Sequence, residues 1–222
     1  MLVNVGRAGQ SDLAVVHETR RHVPLLLSDA AALTILACVR AASHLDGAMA
    51  EAGVLVGGSA RLICEGKGNA PLHLFDSFET LQSSASAGSD LRERELRTHF
   101  GKVHGRLEDV RKLLSTYPEV HLHAGMFPRS AQSLEPGPIS FVHIDLDLPD
   151  STRDAIAYFY GRLMPGGIMV GDDYNDPDVR RTFRTFFEDR EDTRIEYPWG
   201  QVLIIKRSPA DAGSPGPHSK ID

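Results

Sequence analysis

The chain has 222 residues, 41% hydrophobic and 24% charged, which fits one globular domain with a real core and excludes a disordered protein. Its formal net charge of −6 gives no basic field, so neither nucleic acid nor anionic lipid is expected as a partner. No apolar run approaches the roughly 18 residues that span a bilayer, no signal-peptide pattern opens the chain, and Cys38 and Cys64 read as buried thiols of a reducing compartment, so a cytoplasmic protein is expected.

The first ten residues carry no pattern. A polar helix is expected over 11–22, stopped by Pro24. A second is expected over 30–43, capped by Ser28 or Asp29, with Leu33, Leu36, Ala37 and Arg40 on one side. Residues 49–54 read as the first strand, Gly57-Gly58 as a tight turn, and 59–65 as a helix. The second strand is 72–76, followed by a polar loop over 77–88 that suits a lid or linker. Charged helices are expected over 89–100 and 107–117, then strands over 120–124 and 139–145. A helix over 151–163 ends at Pro165-Gly166-Gly167, which turns the chain into a fifth strand at 168–171. A helix over 178–187 precedes two antiparallel strands, 194–197 and 202–206, and residues 208–222 read as a disordered tail. The alternation predicts an α/β fold, a doubly wound, seven-stranded, mostly parallel sheet of Rossmann-like type with N-terminal helices.

In such sheets ligands bind at the carboxyl ends of the strands. Phe141-Val142-His143-Ile144 runs into Asp145-Leu146-Asp147, and Ile168-Met169-Val170-Gly171 runs into Asp172-Asp173-Tyr174. Acids converging in one crevice repel one another and need a cation, and oxygen-only ligation suits magnesium. The bland alternative for Asp145, Asp172 and Asp173 is helix capping. His143 shares a strand face with Asp145 and reads as a core or supporting histidine rather than a ligand. His121 and His123 share a face but are not expected to bind metal. His17, Arg20, Arg21 and His22 read as a solvated basic face. Tyr174 and Asn175 either line an acceptor pocket or, for Tyr174, pack inward.

The first strand leads into Glu51-Ala52-Gly53-Val54-Leu55-Val56-Gly57-Gly58-Ser59, whose glycine spacing is not the dinucleotide G-x-G-x-x-G. Glycines there allow close backbone approach, and a helix start offers free N–H groups. Asp76 ends the second strand, where an acid can accept from both ribose hydroxyls. A nucleoside ligand without a pyrophosphate fits this layout.

These segments, with Leu74-Phe75-Asp76-Ser77-Phe78-Glu79, His123-Ala124-Gly125-Met126-Phe127-Pro128, Ser151-Thr152-Arg153-Asp154 and Leu163-Met164-Pro165-Gly166-Gly167, resemble the class I S-adenosylmethionine-dependent O-methyltransferases. Within that class the chain is similar to the macrocin O-methyltransferase (TylF/MycF) family, which methylates sugar and related hydroxyls of natural products. The resemblance covers about residues 28–206. It departs from the family at Leu55, Val56 and Pro149, where an aromatic, an arginine and an aromatic are usual.

The resemblance implies a cap segment at 1–27, a methyltransferase domain at 28–207 and a tail at 208–222. Glu51, Gly53, Gly57 and Ser59 would hold the methionine end of S-adenosylmethionine, and Asp76 and Ser77 the ribose. Asp145, Asp172 and Asp173 would bind one Mg2+, and Asp147 would stand beside the acceptor hydroxyl as general base, so Asp145 and Asp147 carry the catalysis. The partner is a small-molecule hydroxyl acceptor, a sugar or natural-product glycoside; a catechol-like phenol stays open. A homo-oligomer, dimer or larger, is expected through the N-terminal helices.

Three other functions weigh less. A haloacid-dehalogenase-type phosphatase would share the acids, but it needs a lysine between the two motifs, and none lies between Asp145 and Asp172. A nicotinamide oxidoreductase is disfavoured by the glycine spacing. A catalytically silent binding subunit has no need of clustered charges.

Overall fold

The computed structural model describes residues 7–78, 105–131 and 137–208. Most of the loop expected at 77–88, the helix expected at 89–100 and nearly all of the expected tail lie outside these residues. In chain order the elements are α1 (Arg7–His22), α2 (Asp29–Ala42), β1 (Ala48–Ala52), α3 (Gly58–Gly66), β2 (Leu72–Asp76), α4 (Leu107–Leu113) and β3 (Val120–Ala124). A short 3-10 turn (Arg129–Ala131) precedes β4 (Ile139–Ile144), α5 (Pro149–Arg162), β5 (Leu163–Gly171), α6 (Pro177–Phe186), β6 (Thr193–Tyr197) and β7 (Gln201–Ile205).

The strands form one seven-stranded sheet in the order β3-β2-β1-β4-β5-β7-β6, parallel except where β7 pairs with β5 and β6. Every residue of β1 and β4 is buried, which suits their mostly small and apolar side chains, with Glu51, Ser140 and His143 as the polar exceptions. One sheet face carries Met49, Leu74, Phe141 and Val170 against α2 and α3. The other carries Ala50, Phe75, Val142 and Met169 against α5 and α6. The Ser28 side chain accepts from the Ala31 N–H at 3.2 Å and starts α2. Asp176 caps α6 by accepting from the Asp178 and Val179 N–H groups, with Pro177 behind it.

The structure moves several expected boundaries. The first helix begins at Arg7 rather than residue 11, β1 ends at Ala52 rather than residue 54, and α4 stops at Leu113 rather than residue 117. The fifth helix begins at Pro149, because proline at a first turn loses no helical hydrogen bond. The largest difference is at 163–167. The chain passes from α5 straight into β5, and Pro165-Gly166-Gly167 lies within the strand. Gly166 N–H donates to the Lys206 carbonyl at 2.8 Å and Lys206 N–H donates to the Gly167 carbonyl at 3.0 Å, so pairing with the end of β7 holds this segment in the sheet although Gly166 has φ 77°. The register between β4 and β5 shifts there to absorb the kink.

Candidate active site

The parallel pairing continues one residue past the strands. Asp145 N–H donates to Ala52 at 2.9 Å and Asp172 N–H donates to Ile144 at 2.9 Å. These two bonds place the acids side by side at the carboxyl edge of the sheet. Gly53 makes the approach possible: at φ 92° it favours glycine, and a Cβ there would stand 1.7 Å from the Asp145 carbonyl oxygen.

The next residues take left-handed conformations, Asp147 at φ 58° and Asp173 at φ 55°. Non-glycine residues adopt this region rarely, and Asp more readily than most. The two turns face each other. Asp147 N–H donates to Asp173 Oδ2 at 3.1 Å, and Asp173 N–H donates to Asp172 Oδ1 at 3.1 Å. All four aspartates line a cavity of about 300 Å³. Gly53, Ser59, Asp76 and Ser77 line it as well, and Pro24 to Leu27, Met126 and Phe127 close it with apolar surface.

The electrostatics report crowding. Burial, then the charges of Asp172 and Asp173, holds the Asp145 carboxyl well above the usual carboxylate range. Burial and Asp172 raise Asp173 in the same way. Burial alone would lower His143, but Asp172 and Glu51 outweigh it and bring it up to about 10. Carboxylates this close fit a divalent cation, which would relieve the repulsion.

The geometry divides the expected metal trio. Asp145 belongs to two groups whose donor atoms all lie within 4.8 Å of one another: His143, Asp145 and Asp172 on one side, and Asp145, Asp147 and Asp173 on the other. Asp172 and Asp173 therefore do not share one group with Asp145, and Asp147 stands among possible ligands as well as beside them. Two residues expected at the cofactor do not line the cavity. Glu51 is fully buried, with Oε1 2.8 Å from His143 Nδ1, and Gly57 precedes α3 at φ 89° with Leu113 against it. Asp76 lines the wall, but its Oδ2 accepts from the Val54 and Leu55 N–H groups at 2.7 and 2.8 Å, and its Oδ1 from Phe78 N–H at 2.8 Å. A ribose would share or displace these donors.

Several contributors escaped the sequence reading. Gln201, fully buried, donates from Nε2 to Asp172 Oδ2 at 3.0 Å, and its Oε1 accepts from Trp199 Nε1 at 3.1 Å, which fixes the amide. Arg20, read as part of a solvated face, donates to the Leu27 carbonyl at 2.6 Å and pairs with Asp29, tying the cavity's apolar cover to α1. A Cβ on Gly58 would stand 2.3 Å from the Pro24 carbonyl, so this cover rests on the start of α3. Tyr174 packs inward, 4% exposed, with its hydroxyl 2.7 Å from Glu196, while Asn175 is exposed. No sequence signal marked Gln201 beyond its place opposite a strand end.

The chain is similar to several proteins named as methyltransferases. The curated 8-demethyl-8-(2,3-dimethoxy-alpha-L-rhamnosyl)-tetracenomycin-C 4'-O-methyltransferase of Streptomyces olivaceus is 31% identical over 143 residues, 60% of this chain and 55% of that relative. The chain thus matches little more than half the length of that protein. Among solved structures, the O-methyltransferase NovP superposes with TM-score 0.69 at 21% identity, covering 80% of this chain and 79% of its own. The O-methyltransferase from Bacillus cereus in complex with SAH does so with TM-score 0.57 at 14% identity, covering 88% and 91%. These structural likenesses show a shared fold. The macrocin-O-methyltransferase (TylF) family profile matches residues 33–202, and the chain belongs to that family.

Proposed function

We propose that this protein transfers the methyl group of S-adenosylmethionine to a hydroxyl of a small molecule, a sugar on a natural-product glycoside, with a divalent cation at the aspartate floor of its cavity. The observation that carries this reading is the convergence of Asp145, Asp147, Asp172 and Asp173 on a cavity also lined by Gly53, Ser59, Asp76 and Ser77. One end offers a helix start and a ribose-binding acid, the other a set of hard oxygen donors. The Streptomyces olivaceus relative, named for a rhamnosyl-bearing compound, supports a sugar acceptor, and the SAH held by the Bacillus cereus neighbour supports the donor.

The chain's own residues do the following. Gly53 and Ser59 receive the methionine end and Asp76 with Ser77 the ribose. Glu51 and Gly57 act from behind the wall, Glu51 through His143 and Gly57 by setting the start of α3. Asp145 with Asp172 and Asp173, which lie in the two adjoining donor groups that share Asp145, would hold the cation, Mg2+ by family analogy. When bound, it supplies charge that orients an acceptor hydroxyl and lowers its pKa. Asp147 accepts the hydroxyl proton as the oxygen bonds to the methyl carbon; the carbon–sulfur bond breaks and its electron pair stays on sulfur. The step is a direct in-line transfer, so positioning dominates. The apolar cover at residues 24–27 excludes water, in keeping with a cap over 1–27 on a domain spanning 28–207. We also place the protein in the cytoplasm as a homo-oligomer joined through its N-terminal helices.

Titration with S-adenosylhomocysteine, with and without Mg2+, tests the donor site. Methyl transfer to a rhamnosyl glycoside against a catechol tests the acceptor. Binding of S-adenosylhomocysteine with transfer to the glycoside is expected; a protein that does not bind it is not a methyltransferase.

A further inference from the structure

On one side the sheet ends at β6, and among the described residues nothing pairs with the outer edge of that strand. Thr193 to Glu196 are exposed, and Ile195, at the middle of the strand, is 41% exposed. An open edge offers unpaired backbone groups to any second strand, and proteins usually blunt it with charge. Here the charges are arranged to attract.

The far side of the hairpin fixes which backbone groups point outward. Lys206 N–H donates to the Gly167 carbonyl at 3.0 Å and Tyr174 N–H to the Gly200 carbonyl at 2.8 Å, so even-numbered residues of β7 bond toward β5 and odd-numbered ones toward β6. Thr193, Ile195 and Tyr197 stand opposite Ile205, Leu203 and Gln201, so these three bond inward. Arg194 and Glu196 therefore turn their N–H and C=O groups to the open edge. Antiparallel pairing with a second copy, about a two-fold axis, must join these outward residues. Centring the axis on Arg194 or on Glu196 sets like charges opposite each other. Centring it on Ile195 sets Arg194 opposite Glu196 of the copy, twice over, and Ile195 opposite itself. Arg184 holds Glu196 at 2.8 Å and Arg194 Nε lies 3.6 Å from it, so both charges stay at this edge.

We propose that β6 is an assembly edge, where two copies of this chain pair antiparallel, centred on Ile195, and join their seven-stranded sheets. The contact is separate from the one placed at the N-terminal helices. Five residues a side, against about 20–30 in a stable interface, make it reversible.

Disulfide trapping of the full chain tests this. Directly opposed residues that share no hydrogen bonds stand about 4.5 Å apart at Cα, within disulfide range. Ile195→Cys should therefore give a covalent dimer under mild oxidation. Thr193→Cys is also exposed, but its two Cα atoms would stand about 13 Å apart, and it should cross-link at least tenfold more slowly. Cys38 and Cys64 are buried and give both variants the same background. In Ile195→Cys chains, Arg194→Glu should slow cross-linking at least tenfold, and so should Glu196→Lys. Mixing the two restores opposite charges across the edge and should recover the rate. Circular dichroism checks each fold; should Glu196→Lys unfold, Arg194→Glu alone carries the charge test. Equal rates for Ile195→Cys and Thr193→Cys, or rates that ignore the charge changes, overturn the proposal and leave the methyltransferase reading intact.

Discussion

His143 and His73 lie on the same sheet, separated by β1 and on opposite faces, and their surroundings are reversed. His143 is enclosed by Glu51, Asp145 and Asp172, which bring its ring up to about 10 against the pull of burial. His73 stacks between His121 and His123, with ring centroids 5.0 and 5.3 Å away, and its Nδ1 lies 3.0 Å from His123 Nε2. Burial, then those neighbours, pushes it down to about 4. The acids favour the charged ring in one place, and burial among other rings favours the neutral one in the other. Chemistry sits where acids gather around a buried nitrogen beside the cavity, whereas stacked rings mark packing on β2 and β3.

The largest effect is expected at the acids. Asp145→Ala should lower methyl transfer by about 100- to 1,000-fold while circular dichroism and S-adenosylhomocysteine affinity stay near wild type. Loss of folding instead would make Asp145 a structural residue. Next in size is His143→Leu, which strands Glu51 without a partner in the interior. Chemical denaturation should show a loss of about 3–5 kcal/mol. His73→Phe keeps a ring in the stack and should change stability little at neutral pH.

The acid limb sharpens the contrast. An unfolded histidine titrates near 6.5 and folded His73 near 4, so between these values the unfolded chain binds more protons. Stability should therefore fall as pH drops through that window. His73's share is about 1–2 kcal/mol after allowance for solvent screening of a half-buried group. Urea midpoints at several pH values should show a shallower acid limb in His73→Phe. The smallest effect concerns Tyr174, whose hydroxyl meets Glu196 away from the cavity. Tyr174→Phe should remove about 1 kcal/mol and leave kcat/KM unchanged.

The sequence carried the sheet and the acids well, for a physical reason. The ends of β4 and β5 are mostly apolar, so Asp145 and Asp172 stand out where those runs stop. The Glu51–His143 pair was not readable, because its partners are joined only by the β1–β4 register. The facing turns of Asp147 and Asp173 depend on left-handed backbone that composition does not reveal. Pro165-Gly166-Gly167 carries a turn signal, yet pairing with the end of β7 overrides it. Arg20 sits in a basic run that looks solvated until Leu27 and Asp29 are placed beside it.

The central claim is that a cation held by these aspartates activates an acceptor hydroxyl beside the methyl donor. Transfer of isotopic label from methyl-labelled S-adenosylmethionine to a rhamnosyl glycoside, measured in divalent ion and in chelator, tests it most directly. Turnover that collapses in chelator and returns when metal is restored is the expected result. Equal turnover in both solutions would contradict it.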